Sequence, residues 1–154
     1  MRFADHPEFT PNVSPRKMFA LGVFGGAYFR PVYSAVLGRE LRGDHKRHAS
    51  LSRVSERLLA SREPDPAMNH FGVLSGTSLE YWEERGWIRA QDPRGWVEWY
   101  TRFAEGRRSE DDERQIRRWL AIAGPRGRFM RRAVKTPAVK QTLLQWGVLV
   151  EEPK

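Results

Sequence analysis

The segment from Asp92 to Trp119, DPRGWVEWYTRFAEGRRSEDDERQIRRW, sets seven Arg residues among Trp96, Trp99, Tyr100 and Trp119. Guanidinium groups hold phosphates through paired hydrogen bonds and stack on planar rings. Aromatic side chains offer bases a matching stacking surface. The combination predicts a face for an anionic, stackable ligand, with nucleic acid first among the candidates. Within this segment Asp112 is the acid/base candidate. Helical spacing puts it on one face with Ile116 and Trp119, pointing toward the core edge, where a carboxylate must be paired or titrate. Arg94, Arg107 or Arg108 is the expected partner. A structural ion pair and a catalytic acid/base group both satisfy that pattern.

A second basic strip, Gly124 to Lys140, reads GPRGRFMRRAVKTPAVK and contains no acid. Phosphate neutralisation is its natural use, with Gly127 allowing close backbone approach; a solvated basic turn is the alternative. The expected nucleic-acid-binding set is Arg107, Arg108, Arg118, Arg126, Arg128, Arg131, Arg132 and Lys135. Phe24 to Pro31, FGGAYFRP, is another dense spot. It is neither GxGxxG nor a P-loop, so no nucleotide motif is claimed. It reads either as a buried turn with a packed aromatic pair or as Tyr28 and Arg30 placed beside an anion. A pocket for an anionic metabolite would draw on Tyr28, Arg30, Asp112 and Gln115. Tyr28 and Gln115 thereby join Asp112 as catalytic candidates, and Arg30 and Arg94 are the anion-binding candidates.

Other chemistries find little support. His45 and His48 lie in HKRH, His6 and His70 stand alone, and none belongs to an HExxH arrangement, so no metal site is expected. Ser75, Thr77 and Ser78 read as helix caps, and there is no GxSxG. Cysteine is absent, which excludes disulfides, a thiolate nucleophile and Cys-ligated metals. No cofactor is expected. Met1 and Arg2 are not followed by an apolar stretch, and no apolar run reaches the roughly 18 residues of a membrane span. The expectation is a cytoplasmic protein with no membrane partner. The net charge of +8 bears on partners and solubility rather than on fold.

Helix starts and stops recur along the chain. Ser14-Pro15 opens a helix that Gly22 closes. Thr77 to Glu80 is a capping box, with Gly86 as the stop. Asp92-Pro93 to Gly106, Ser109 to Gly124-Pro125, and Thr136-Pro137 to Gly147 bound three more. Trp96, Trp99, Tyr100 and Phe103 stand at i, i+3, i+4 and i+7, a helical stripe. Ile116, Trp119, Leu120 and Ala123 repeat it, as do Val139, Leu143 and Trp146. The pattern predicts a mainly α, compact single domain of about five helices. Residues 39–66 are polar and basic, with one helical candidate over Leu51–Leu59, and are expected to form a flexible surface excursion.

Two resemblances add to this reading. Phe71 to Ile88 is similar to the MerR-type helix-turn-helix signature in Gly72, Val73, Thr77, Leu79, Tyr81, Trp82, Glu83, Gly86 and Ile88, which implies DNA. DPRGW stands where the wing of that motif would follow. More widely, PEFTPNVSPRKMFALGVFGGAYFRP, SLEYWEERGWI, DPRGWVEWYTRF, GRRSEDDERQIRRW and QTLLQW resemble a family of small uncharacterised proteins. That resemblance implies one domain and no particular activity. The leading expectation is DNA or RNA binding, extending to processing or repair. The alternatives are a small cofactor-independent enzyme acting on an anionic metabolite, and a protein-interaction module anchored by Trp and Arg.

Overall fold

α-Helix and 3-10 turn together take about 39% of the described residues in the computed structural model, which describes residues 1–74 and 76–151. Ser75, expected as a cap, lies outside the described residues. Six α-helices are present among the described residues: α1 (Pro15–Ala20), α2 (Glu56–Leu59), α3 (Leu79–Glu84), α4 (Trp96–Ala104), α5 (Asp112–Ile122) and α6 (Pro137–Gln145). One antiparallel hairpin, β1 (Val32–Ser34) and β2 (Arg39–Leu41), pairs Tyr33 with Glu40. The five expected helical units all contain a helix, but the helices are short and much of the core is carried by loops.

The two most regular caps form as spacing predicts. The Ser14 hydroxyl accepts from the Lys17 N–H, and the Thr136 hydroxyl accepts from the Val139 N–H. Three starts differ. α3 is capped by Ser78 rather than Thr77, whose hydroxyl accepts from Trp82 Nε1 at 2.7 Å. α4 starts at Trp96 behind Gly95, not at Asp92. Asp92 is 1% exposed and takes Arg107 (2.8 Å) and Arg102 (3.2 Å). A long-range ion pair has displaced the local cap. α5 starts three residues after Ser109, whose N–H and hydroxyl both donate to Asp112 at 2.8 and 2.9 Å.

The α4 stripe is buried throughout and closes on α5 and the N-terminal segment. Phe9, fully buried, is the hub. Its ring lies 5.1 Å from Trp119, 5.5 Å from Trp99 and 5.6 Å from both Tyr100 and Phe103. Edge-to-face and tilted contacts of this kind add about 0.5–1.5 kcal/mol beyond area burial. Each buried indole also needs an acceptor. Trp99 Nε1 donates to Asp112 Oδ1, Trp96 Nε1 to the Gln115 carbonyl and Trp119 Nε1 to the Trp146 carbonyl. These three bonds fasten α4 to α5, and α5 to the end of α6.

Residues 39–66, expected as a flexible polar excursion, are built into this frame. Leu41, Leu51 and Leu59 are buried. They stand ten and eight residues apart on three separate short elements, too far apart to read as one stripe, which is why composition hides them. His48, 2% exposed, places Nε2 3.0 Å from Glu98 and Nδ1 3.6 Å from Glu105. Asp44 holds Arg94. The 3-10 turn Val23–Gly26 packs on the far end of the same stretch, at Asp65, and Gly22 just before it closes on the residues that follow: a side chain there would come within 1.8 Å of the Met68 carbonyl oxygen. Only glycine, here at φ 79°, fits that approach. Among the described residues, no helix is long and apolar enough to cross a membrane.

Candidate functional site

Six of the seven Arg residues between Asp92 and Trp119 already have carboxylate partners. Arg94 grips Asp44 through two bonds of 2.7 and 2.9 Å. Arg102 and Arg107 hold Asp92, and Arg108 reaches Asp5 at 2.6 Å. Arg114 pairs with Asp111 and Arg117 with Glu113. The density of cations beside aromatics thus has a structural origin for most of the segment. Arg94, expected to bind an anion, is 2% exposed and spent on Asp44 and the Tyr28 carbonyl. Arg107 and Arg108, expected on phosphates, are engaged in the ion pairs just described; Arg108 also lies 3.7 Å over the Phe103 ring.

Arg118 is the exception. It has no carboxylate partner among the described residues. Its guanidinium lies between Trp87 and Trp146, 5.5 Å from each ring, and donates to Gln115 Oε1 at 2.8 Å. Burial, reinforced by the charge of Arg114, lowers its pKa to about 10 against the pull of Asp111. A desolvated cation of this kind gains most from an incoming anion.

Arg118 projects into a cavity of about 590 Å³. Tyr28, Trp82, Trp87, Trp96, Phe129 and Trp146 supply aromatic walls, and Arg128 supplies a second cation. Among the described residues, no Asp or Glu lines it. The walls come from the Val23–Gly26 turn, α3 and the loop after it, α4, α5, and the end of α6. The strip 124–135 continues outward from Arg128. Arg126, Arg131 and Arg132 are exposed and have no carboxylate partner among the described residues. Lys135 donates to the Arg132 carbonyl. Arg128 and Arg132 flank the Phe129 ring at 5.5 and 5.2 Å. Gly127 does not serve phosphate approach as expected. It is buried, and a side chain there would sit 2.5 Å from the Ile122 carbonyl carbon. Its role is to fold the strip back on α5, where the N–H groups of Arg128 and Phe129 donate to the Ala121 and Ile122 carbonyls.

The proposed catalytic set is not assembled at this cavity. Asp112 contacts none of Arg94, Arg107 and Arg108. Its two oxygens accept from Trp99 and Ser109, so it is buried as a cap and an indole acceptor. A neutral donor suffices because the start of α5 also favours the negative charge. The Tyr28 hydroxyl donates to the Arg94 carbonyl (2.7 Å) and accepts from the Glu98 N–H (3.0 Å). Burial, with the charge of Glu98, pushes its pKa well above the ordinary value. What Tyr28 offers the cavity is its ring. Gln115 is buried behind Arg118 and orients it. Arg30 lies in a neighbouring cavity. Among the described residues, no group of three or more His, Asp or Glu side chains is placed to hold a metal ion.

Compared with protein families, with curated proteins and with solved structures, the chain matches none. The segment that resembles a helix-turn-helix holds one six-residue helix, α3, preceded by the three-residue 3-10 turn Pro66–Met68. Tyr81, Trp82 and Trp87 from that segment turn toward the cavity. The sequence pointed to Arg118 and Arg128 but not to Trp82, Trp87, Phe129 and Trp146 as their companions. For the three tryptophans the signal is that six Trp are many for a core of this size; Phe129 carries none.

Proposed function

We propose that the protein binds single-stranded or locally unpaired nucleic acid, with a base in the aromatic cavity and its backbone on Arg118, Arg128 and the strip beyond. The observation that carries this reading is an aromatic cavity lined, among the described residues, by no acid and by two guanidinium groups, with arginines that lack a carboxylate partner among those residues at its rim. Rings that stack a base contribute about 1–3 kcal/mol each by truncation, whatever the base. Flat walls with a cation at the edge suit a base followed by a phosphate. Duplex DNA presents no free base face and would meet only the outer strip.

Filter-retention titration with a short oligothymidylate tests the reading. Binding is expected to weaken steeply with salt. Replacing Arg128, Arg131 and Arg132 together with Ala lowers affinity and flattens the slope of log K against log salt by about 0.7 per lost phosphate contact on a single strand. Trp87→Ala lowers affinity for the single strand and leaves the residual duplex binding unchanged. Absence of binding by the parent at low salt overturns the proposal.

One observation favours a second reading. About 590 Å³ falls in the range of small-molecule sites, so a free planar anion such as a mononucleotide would also be held. Competition by mononucleotides at concentrations that leave Trp87→Ala unaffected would identify that case.

A further inference from the structure

A smaller cavity of about 410 Å³ adjoins the aromatic one, and Phe24, Tyr28, Thr77 and Trp82 line both. Among the described residues it too has no Asp or Glu in its lining. Its cation is Arg30, half-buried and without a carboxylate partner among the described residues. Among the described residues the Arg30 guanidinium makes one hydrogen bond, to the Ala27 carbonyl at 3.4 Å, which engages one of its five donors. Arg94, at the same wall, is saturated by Asp44 and Tyr28. Burial and the charge of Arg94 both lower the pKa of Arg30, with Glu80 opposing them.

Two features of the shared wall point the same way. Thr77 Oγ1 accepts from Trp82 Nε1 at 2.7 Å, so its own proton is directed elsewhere and is a donor at the boundary of the two cavities. Phe24 has φ 59°, and among the described residues it alone combines a side chain with positive φ. Such strain in a bulky residue persists only where the surroundings enforce it, and it gathers at ligand sites.

We propose that the smaller cavity is an anion subsite, in which Arg30 and the Thr77 hydroxyl take the terminal phosphate of a strand whose end base fills the aromatic cavity. The identity of the neighbouring ligand rests on the nucleic-acid reading above; the anion subsite itself does not. A phosphomonoester fits the open fork of Arg30 better than a bridging diester does, because it offers more unblocked oxygens to paired donors.

Oligothymidylates ending in 5′-phosphate, 3′-phosphate or hydroxyl only provide the test, with filter retention as the readout. One phosphorylated end is expected to bind at least about tenfold tighter than the hydroxyl form, the worth of a charge-assisted pair. Which end gains fixes the direction of the strand. Arg30→Gln removes that preference and leaves affinity for the hydroxyl-ended strand unchanged; Arg30→Lys retains part of it. Equal affinity for all three ends, or a preference that survives Arg30→Gln, overturns the subsite. Inorganic phosphate is the second probe. It raises the melting temperature of the parent more than that of Arg30→Gln, and an equal response in both overturns the subsite even if no oligonucleotide binds. Failure of the parent to bind any strand, with the phosphate response intact, would instead remove the base reading and keep the anion site.

Discussion

Trp99→Ala is expected to lower stability by about 3–5 kcal/mol, the cost of emptying a fully buried aromatic position. Trp99 is 0% exposed, packs on Phe9 and Phe103, and anchors α4 to Asp112 at the start of α5. The substitution therefore opens a cavity at the aromatic hub and leaves Asp112 Oδ1 with the Ser109 hydroxyl as its remaining donor. Urea unfolding with an unchanged m value measures the loss. Trp99→Phe should cost less, since it keeps most of the apolar volume and gives up the hydrogen bond. Asp112→Asn separates the capping role from chemistry. It should lower stability and leave nucleic-acid affinity per folded molecule unchanged. A Trp99→Ala protein as stable as the parent would mean that the aromatic hub does not hold α4.

Asp44→Ala should be nearly as damaging, at about 3–5 kcal/mol, because it leaves the guanidinium of Arg94 buried without its counter-charge. Arg94 is 2% exposed and the Asp44 side chain 13%. Asp44→Asn carries a pH signature. Burial raises the Asp44 carboxyl, but the Arg94 hydrogen bonds and charge outweigh it, and the net shift is downward. A depressed carboxylate contributes its stability fully above the unfolded value of about 3.9 and loses it as pH falls through the folded value. The parent and Asp44→Asn should therefore lie furthest apart at neutral pH and converge as pH drops below about 4. A gap that persists unchanged in acid would assign the loss to shape and not to charge.

Elements defined by local period were legible from the chain. The stripe Trp96, Trp99, Tyr100, Phe103 is buried as spacing requires, and Ser14 and Thr136 cap as their positions require. What failed were inferences in which a long-range partner outbids a local one. Asp92 looks like a cap for α4 but is held by Arg107 across the Gly106 turn. Asp112 looks like a partner for a nearby arginine but is held by an indole 13 residues upstream. The polar 39–66 stretch hides two histidines and three leucines whose burial depends on Glu98, Arg94 and the Gly25-Gly26 turn. The cavity was illegible for a related reason. Its walls are drawn from five separated segments, and periodicity does not say which edge of a tryptophan faces a neighbour and which faces a void. The cations were read only in part: Arg94, Arg107 and Arg108 were expected at a ligand and are held by Asp44, Asp92 and Asp5, whereas Arg118 has no carboxylate partner among the described residues.

The distribution of indoles makes the protein its own optical reporter. Trp99 and Trp119 are sealed in the core, whereas Trp82, Trp87, Trp96 and Trp146 line the cavity. Unfolding moves all six emitters into water and shifts the whole emission band to the red. A stacked ligand reaches only the four at the cavity, so it should quench part of the intensity and leave the emission of the sealed pair in place. Acrylamide would reach Trp82, Trp87 and Trp146 before any ligand is known and be excluded from buried Trp96, Trp99 and Trp119, and the fraction it cannot reach reports whether a variant has kept its core.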